Sequence, residues 1–382
     1  MNILFKHNNN NNNPNNPNNP NNPNNPNNQE YNNEIIDTIQ PIDNPIDNYD
    51  GYYNKLPETS RSAESRCTVR CKNCKKIGHY SKKCKSCIIS YGIIMIDINC
   101  EDEMDSIYKE KYGIEIKDLK TKFTEYINLN GFTQPPQSIC LENSYIDDFC
   151  YLKDLIKFIL VKRKYTYSYN EFIRGDYNIN NIEHIISLFQ LMTKEEITRI
   201  ENCKNFSELW NDIWGGMNQV INENALKTYN DIVNGANNSF QLKFYLKNVK
   251  PNWNIHEWGF AKGKKAIKET DIDCAKREFY EETDIDETKY DIISNIEPII
   301  ENLVGTNELK YKYLYYVAIP HDIIKPVRDD NNIEIGDISW FTYQEAINNI
   351  RSYNTERLGI VTNIYNKTLQ ILSYLLDDMR RK

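Results

Sequence analysis

The spacing of apolar and polar residues predicts alternating strands and helices from residue 88 onward. Residues 88–96 (IISYGIIMI) are rich in β-branched side chains, which is typical of a strand. Between Ile182 and about Asn237 apolar residues recur at helical spacing, over a length sufficient for two or three helices. This alternation indicates an α/β fold. The other apolar runs are predicted as a helix end at 156–161, strands at 165–169, 242–246, 311–319 and 338–341, and a closing helix at 360–379.

The first 60 residues follow a different pattern. Residues 7–28 are almost entirely asparagine and proline, so they offer hardly any apolar surface for a core. Such a composition is typical of disorder, and we predict a disordered Asn/Pro-rich tail over residues 1–60, to which we assign no function. The folded part of the chain is expected to begin at about residue 67.

The stretch 263–285, GKKAIKETDIDCAKREFYEETDI, carries the most specific chemistry. Glu278, Glu281 and Glu282 stand three and four residues apart, so a helix brings their side chains together. Carboxylates at that distance repel each other unless they share a cation, and hard oxygen ligands suit Mg²⁺ or Mn²⁺. A site of this kind binds a pyrophosphate and activates water against it. The alternative is a solvated acidic helix face.

The same stretch predicts how its helix is held. Thr270 or Asp271 is a candidate N-cap. Glu269 lies in the preceding loop and is expected to pair with Arg277, which would fix the loop against the helix. Three side chains fall on one stripe that is expected to face the core: Ile272, Ala275 and Phe279.

This stretch resembles the Nudix box, G-x5-E-x7-R-E-U-x-E-E-x-G-U, in which U is aliphatic or aromatic. It departs from the box only at Asp284, where the family has glycine, and aspartate is among the residues that tolerate the left-handed conformation expected there. The resemblance implies an α/β/α sandwich around a mixed sheet and hydrolysis of a nucleoside diphosphate linked to another group. It also implies catalytic roles for Glu278, Glu281 and Arg277, and a catalytic Mg²⁺ or Mn²⁺ held by Glu278, Glu281, Glu282 and Gly263.

The sequences on either side of the box resemble those of mRNA-decapping Nudix enzymes. Residues 258–264 (WGFAKGK) resemble the entry to their box, and residues 334–341 (EIGDISWF) resemble their late strand and loop. The loop glutamate of that family contributes to metal binding or proton abstraction, which nominates Glu334. Residues 161–164 (VKRK) and 171–177 (EFIRGDY) resemble decapping proteins of large DNA viruses. These also carry a helical insertion, which the resemblance implies here at about 182–237 within a Nudix hydrolase domain spanning 88–382.

Three residues beside the box are candidates for substrate binding. Lys262 and Lys264 lie near the carboxylates and suit a polyphosphate, although ordinary surface lysines would look the same. Trp258 is a candidate substrate contact, and a core position in a strand explains it equally well. For Glu334 the alternative is a plain loop position. Either Glu278 or Glu334 orients or deprotonates the attacking water.

Residues 71–84, CKNCKKIGHYSKKC, have the spacing of a CCHC zinc knuckle. Three thiolates and one imidazole form the closed tetrahedral shell of structural Zn²⁺, and metal binding would supply the folding energy of so short a module. We place the knuckle at 67–87, with Cys67 and Cys87 as spare thiols. The predicted zinc ligands are Cys71, Cys74, His79 and Cys84.

The surroundings of the knuckle indicate what it binds. Between residues 60 and 87 the chain has nine Lys or Arg residues and one acid, Glu64. Zinc knuckles bind single-stranded nucleic acid, so single-stranded RNA is the expected partner. The alternative is that the knuckle binds protein or supports the next domain.

Composition limits the remaining possibilities. The formal net charge is −8, with 46 Lys and Arg against 54 Asp and Glu, so positive charge is concentrated only at the knuckle and near the box. No apolar stretch is long enough for a secretory signal or a membrane span. Five of the ten cysteines fall in the knuckle region, which fits a reducing compartment. We expect a cytoplasmic protein, in the host cytoplasm if it is viral, with no membrane association.

Taken together, these features predict an enzyme that removes the 5′ cap of mRNA, releasing 7-methyl-GDP and leaving RNA with a 5′-monophosphate. Its expected partner is capped mRNA. One rival is a Nudix hydrolase of free nucleotides or inositol pyrophosphates, against which the knuckle argues because a small substrate needs no single-strand platform. The other is an RNA-binding protein that uses a Nudix scaffold, against which the complete set of carboxylates argues.

Overall fold

The structure, a computed structural model, describes most of the chain from residue 70 onward. The predicted tail at 1–60 lies outside the described residues, and so do Cys67 and Cys74 of the knuckle. The described residues are 70–71, 76–79, 84, 86–99, 105–106, 109–110, 113–135, 152–215, 219–236, 239–266, 268–305 and 309–381.

A mixed sheet is built around strand β1 (Ile88–Ile98). Along one edge β1 runs parallel to β7 (Lys310–Pro320). Along the other edge its first half pairs antiparallel with β4 (Lys262–Lys264), and its end pairs antiparallel with β2 (Ile156–Arg163). The outer strands are antiparallel to their neighbours: β3 (Trp258–Gly259) and β8 (Ile335–Thr342) on β2, and β5 (Tyr290–Ile292) and β6 (Ile299–Val304) on β7.

Helices cover both faces of the sheet. Alternate residues of β1 enter opposite cores, with Ile94 on the side of the C-terminal helix and Ile93 on the side of the helix that carries the three acids. From Ser90 onward β1 is buried on both faces, which requires apolar residues at nearly every position. The predicted α/β/α sandwich is confirmed. In chain order the helices are α1 (Ile116–Asn130), α2 (Tyr167–Arg174), α3 (Ile182–Leu191), α4 (Lys194–Asn202), α5 (Phe206–Ile213), α6 (Glu223–Asn234), α7 (Leu242–Asn248), α8 (Asp271–Thr283), α9 (Tyr343–Asn349) and α10 (Thr355–Arg380).

Between β2 and β3 the chain forms a helical insertion, α2 to α7, with an apolar core of its own. Helices α3 to α6 each begin at a residue whose side chain accepts a hydrogen bond from the first turn; these N-caps are Asn181, Thr193, Asn205 and Asn222. The predicted insertion is therefore present. Four of the described helices fall between 182 and 237, so the expected two or three was too low.

Three short apolar runs form elements other than those predicted. Residues 156–161, predicted as a helix end, form β2. The predicted strand at 165–169 is instead the start of α2, where the Thr166 side chain accepts a hydrogen bond from the Tyr169 N–H, and the predicted strand at 242–246 is α7. Runs of five or six apolar residues fit a buried strand and a buried helix equally well, so packing decides between them.

A buried arginine joins the insertion to the sheet domain. Arg351, between α9 and α10, donates hydrogen bonds to the carbonyl oxygens of Leu191 (2.7 Å) at the end of α3 and of Ile255 (2.8 Å). Its guanidinium also pairs with the buried carboxylate of Glu257 at 3.1 Å. These contacts fix the insertion against the sheet domain.

Among the described helices, none is long and apolar enough to cross a bilayer.

Candidate active site

The helix that carries the three acids, α8, begins and ends as its sequence predicts. The Thr270 side chain accepts a hydrogen bond from the Asp273 N–H (3.2 Å), which confirms Thr270 as the N-cap. The helix ends at Asp284, which adopts the left-handed conformation (φ 56°, ψ 23°) expected at this position. Its N–H donates to the carbonyl of Tyr280 at 2.8 Å.

The predicted core stripe of α8 is only partly correct. Ala275 and Phe279 are completely buried against the sheet. Ile272 in the first turn is 37% exposed, so the stripe contributes to the core only from the second turn onward. Cys274 takes the buried position instead, and burial raises the pKa of its thiol.

The predicted pair of Glu269 and Arg277 is present and bidentate. Arg277 Nε donates to Glu269 Oε1 (2.7 Å), and Nη2 donates to Oε2 (3.1 Å). The hydrogen bonds from Arg277 lower the pKa of Glu269. Arg277 Nη2 also donates to the carbonyl of Lys264 (3.0 Å), so the arginine fixes the loop between β4 and α8.

The remaining amino group of Arg277 reaches two of the predicted metal ligands. Nη1 donates to Glu278 Oε1 (2.7 Å) and to Glu281 Oε2 (3.0 Å). The other side of the Glu278 carboxylate lies against the backbone of Gly263. A Cβ at Gly263 would lie 2.0 Å from Glu278 Oε2, so only glycine allows this approach.

Burial changes the electrostatics of this cluster. Loss of solvation raises the pKa of Glu278 to about 7 and that of Glu282 to about 8. The cations nearby, Arg277 for Glu278 and Lys262 for Glu282, oppose this rise without cancelling it. Glu282 Oε2 also accepts a hydrogen bond from the Lys262 N–H at 3.1 Å. Acids held together in excess of cations are the arrangement that a divalent ion would stabilise.

The loop before β8 brings Glu334 to the same cluster. The side-chain oxygen of Asn332 accepts hydrogen bonds from the N–H groups of Glu334 and Ile335 (both 2.9 Å), and its Nδ2 donates to the carbonyl of Glu281 (3.1 Å). Burial raises the pKa of Glu334, and the charge of Arg163 opposes the rise. Asn332 was not identified from the sequence, because an asparagine in a loop carries no signal of a contact 51 residues away.

The three predicted substrate-binding residues, Trp258, Lys262 and Lys264, differ in their burial and contacts. Trp258 is buried (6% exposed) and packs edge to face on Phe341, with ring centroids 4.7 Å apart, as its core alternative predicted. Lys262 is half-buried, and its Nζ lies 4.8 Å from the centre of the Tyr313 ring and 3.5 Å from the Tyr167 hydroxyl. Lys264 is half-buried, and its backbone carbonyl accepts a hydrogen bond from Arg277 Nη2 (3.0 Å).

Two cavities meet at Arg163, a buried residue that sequence analysis did not single out. Its guanidinium lies 4.1 Å from the centre of the Tyr167 ring, and its Nε has no hydrogen-bond partner among the described residues. One cavity lies between the insertion and the Glu334 loop and is also lined by Tyr165, Asn170, Arg174, Ile213, Trp214 and Ile333. The other reaches Glu282 and is also lined by Tyr167, Glu257, Trp258, Lys262 and Arg357.

Three of the four predicted zinc ligands converge. The ligand atoms of Cys71, His79 and Cys84 all lie within 4.8 Å of one another, and both thiols are buried. Gly78, just before the histidine, has φ +111°, which a residue with a side chain rarely adopts. Cys74 lies outside the described residues, and Cys87 is not part of the group. The three described residues fit a tetrahedral zinc shell that a fourth ligand would close.

Comparison with known proteins agrees with this geometry. Residues 244–360 match the family model of the NUDIX domain. A protein of Acanthamoeba polyphaga mimivirus, named as an mRNA-decapping protein, is 34% identical over 81% of this chain and 96% of its own length. The mRNA-decapping protein g5R of African swine fever virus (isolate Pig/Kenya/KEN-50/1950) is 30% identical over 48% of this chain and 77% of its own. A solved Nudix hydrolase of M. smegmatis, RenU, aligns over 29% of this chain and 67% of its own at 10% identity, with a TM-score of 0.23. The chain therefore belongs to the Nudix family, together with the viral proteins named for mRNA decapping.

Proposed function

We propose that this protein is a metal-dependent hydrolase that removes the 5′ cap of mRNA, releasing 7-methyl-GDP and leaving RNA with a 5′-monophosphate. The observation that carries the proposal is the cluster of acids on α8, which lies against the backbone of Gly263 and beside the buried Arg163. The names of the two viral relatives favour a capped mRNA over other pyrophosphates as the substrate.

Four groups would hold the catalytic Mg²⁺ or Mn²⁺. They fit a hard divalent ion because carboxylates and a backbone carbonyl are the ligands it prefers. Loss of solvation raises the pKa of Glu278 and of Glu282 despite the nearby cations, so a bound cation would stabilise their charged forms. When bound, such an ion lowers the pKa of a water molecule and neutralises charge on the leaving phosphate. The four groups are Glu278, Glu281, Glu282 and the carbonyl of Gly263.

Arg163 and Lys262 would bind the substrate phosphates. The Nε of Arg163 lacks a hydrogen-bond partner among the described residues, and a guanidinium is well suited to a phosphate. Both residues line the cavity that reaches Glu282, so phosphates held there would lie beside the acids. We place the reacting pyrophosphate in this cavity.

Glu334 is the better candidate for the residue that accepts the proton of the attacking water. Glu278 Oε1 already accepts a hydrogen bond from Arg277 at 2.7 Å, and its other oxygen lies against Gly263. Glu334 lines the cavity on the other side of Arg163, and it lies close enough to Glu282 and Lys262, which line the substrate cavity, for their charges to interact. In this assignment Glu278 binds the metal, and Arg277 positions Glu278.

The zinc knuckle would hold the body of the RNA. Its basic residues suit phosphate contacts, which give affinity with little sequence preference. Zinc bound by Cys71, His79 and Cys84 with Cys74 would keep the module folded. The substitution His79→Ala is expected to lose the zinc and to weaken RNA binding, which metal analysis and a binding titration measure. If RNA affinity is unchanged after zinc is lost, the knuckle has no part in RNA binding.

Decapping is tested with RNA that carries a radiolabelled cap. The wild-type protein should release labelled 7-methyl-GDP in Mg²⁺ or Mn²⁺, and Glu281→Gln should not. The matched control is Glu297→Gln, because Glu297 is exposed and outside the cluster. Hydrolysis of free nucleotides or inositol pyrophosphates in the absence of cap release would favour the rival enzyme. RNA binding without any hydrolysis would favour the scaffold alternative.

A further inference from the structure

Among the described residues, none covers one end of the sheet on the side of α8. Helix α8 begins at Asp271, whose carboxylate interacts with the Tyr91 side chain on β1. From there the helix packs along β1 from Ile93 onward. The start of β1 and the neighbouring parts of β6 and β7 extend beyond the helix. On that side Ile89 is 40% exposed.

The uncovered surface is both apolar and basic. On β6, Leu303 enters the core on the opposite side, so Ile300 (45% exposed) and Val304 (41% exposed) lie on the uncovered side. On β7, Tyr311 is buried in that opposite core, which places its neighbours Lys310 and Lys312 on the uncovered side. We call this surface the open sheet face; it consists of Ile89, Ile300, Val304, Lys310 and Lys312.

The register of the strands aligns these residues. Val304 stands opposite Lys310, and Ile89 stands opposite Lys312. Each lysine therefore has an exposed apolar neighbour on the adjacent strand. Such a surface suits a single strand of nucleic acid, because the cationic groups can bind its phosphates and the apolar side chains can contact its unpaired bases.

The open sheet face lies between the two sites that the proposed function assigns to RNA. Tyr91 stands opposite Gly263, one of the groups proposed to hold the catalytic metal. Cys87, at the end of the knuckle, is four residues earlier, a span of about 13 Å along a strand. Burial raises the pKa of Cys87, and the charges of Lys312 and Lys310 oppose that rise, which fits their position beside the knuckle.

We propose that the open sheet face binds the first nucleotides of the RNA that follow the cap, on their way from the catalytic cluster to the knuckle; this inference rests on the proposed function. Lys310 and Lys312 contact phosphates, and bases lie on Ile89, Ile300 and Val304. A protein partner would account for the exposed apolar residues of this face but not for its two lysines. Lysines along a route of about 13 Å between two RNA sites, in a chain of net charge −8, favour RNA.

The test compares a long and a short substrate in the full-length protein. Lys310→Ala/Lys312→Ala should raise KM for a capped RNA of several tens of nucleotides on the order of tenfold at 0.1 M salt, and flatten the slope of log KM against log salt by about 1.4. Cleavage of the free cap dinucleotide should be unchanged, because it does not reach the open sheet face. Lys117→Ala/Lys122→Ala is the matched control, since both lysines are exposed on α1, on the opposite side of the sheet.

Equal KM values and equal salt slopes in the two double variants would overturn the proposal. A change in oligomeric state for Lys310→Ala/Lys312→Ala, measured by light scattering with no change in RNA affinity, would also overturn it and assign the face to a protein contact. If the wild-type protein cleaves no capped substrate, the proposed function fails by itself. The same four lysine substitutions are then compared by RNA-binding anisotropy, in which a selective loss for Lys310→Ala/Lys312→Ala still supports the RNA surface.

Discussion

Two groups of buried or half-buried charges border the same cavity and differ in how their charge is balanced. In one, Glu301 pairs with Arg357 (Oε1 to Nη2, 3.1 Å) and accepts a hydrogen bond from the Tyr315 hydroxyl at 2.9 Å. In the other, Glu278 and Glu282 are brought together on α8, and burial raises the pKa of the first to about 7 and of the second to about 8.

The difference separates structural from functional charge. A buried pair such as Glu301 and Arg357 supplies its own counterion and helps to fix the start of α10 against β6 and β7. The acids of α8 are held in place by Arg277 and by the approach of Gly263, yet the nearby cations do not offset the loss of solvation at Glu278 and Glu282. An excess of buried acid weakens the folded protein unless a cation is bound, so it marks a place where function, and not stability, explains the residues.

The largest expected effect is on activity and comes from Glu282→Gln. Loss of a metal ligand removes several kcal/mol of charge stabilisation in the transition state, which corresponds to a fall in kcat on the order of 10³-fold. Stability of the metal-free protein should be equal or higher, because a half-buried acid whose charged form is poorly solvated has been removed. Cap release and urea denaturation measure the two effects. A variant that is fully active, or that unfolds at much lower urea, would contradict the assignment of Glu282 to the metal site.

The next effect is on stability and comes from Glu301→Gln. This change leaves the guanidinium of Arg357 buried without its counterion and should destabilise the metal-free protein by about 3 kcal/mol. Replacing both partners, as Glu301→Gln/Arg357→Met, should cost less than the sum of the two single changes. Urea denaturation of the four proteins measures this coupling. If the loss of unfolding free energy in the double variant equals the sum of the losses in the two single variants, the pair does not act as a structural unit.

Features that depend on residues close together in the chain could be predicted from the sequence. The Thr270 cap, the left-handed Asp284 and the pair of Glu269 with Arg277 were predicted because each depends on residues less than ten positions apart. Helix α7 was predicted as a strand, since its short run of apolar residues fits either element.

Contacts between distant segments could not be predicted in this way. Arg351 contacts Leu191, 160 residues away, and Lys162 pairs with Asp337, 175 residues away. Neither spacing has a period that a single sequence shows. Arg163 lay within the stretch VKRK that carries the viral resemblance, but only the fold distinguishes it from its neighbours by burying it between two cavities.

A third prediction concerns pH. The pKa of Glu282 is raised from its ordinary value of 4.5 to about 8 in the folded, metal-free protein, so the folded state holds a proton there that the unfolded state has lost. Its contribution to stability is therefore fully present below about pH 4.5 and is lost as pH rises toward 8. The difference in unfolding free energy between wild type and Glu282→Gln should shift across this range in favour of the variant. Urea titrations at pH 5, 6.5 and 8 measure it, and a constant difference would show that Glu282 titrates normally.

The same protons compete with the metal. The ligands bind the metal as carboxylates, so Mn²⁺ must displace any proton held by Glu278 or Glu282. For each such proton, the affinity for Mn²⁺ should rise about tenfold per pH unit at pH values below the pKa of that group. Affinity measured by calorimetry should thus increase from pH 6 to pH 8 and then level off. An affinity that is independent of pH over this range would mean that the metal binds elsewhere or that these acids are already ionised.

The smallest effect is expected at the one position where the sequence departs from the Nudix box. Asp284 has a positive φ of 56°, which glycine adopts without strain, and its negative charge lies at the C-terminal end of α8, where the helix dipole is also negative. Asp284→Gly should therefore stabilise the protein by about 0.5–1 kcal/mol and leave kcat unchanged, because the ligands of α8 lie upstream of the cap. Asp284→Asn serves as the control, since it removes the charge while keeping a side chain that tolerates the left-handed region. A gain of equal size in both variants would assign the effect to the charge, and a loss of stability in Asp284→Gly would show that this side chain makes a contact worth more than the relief of strain.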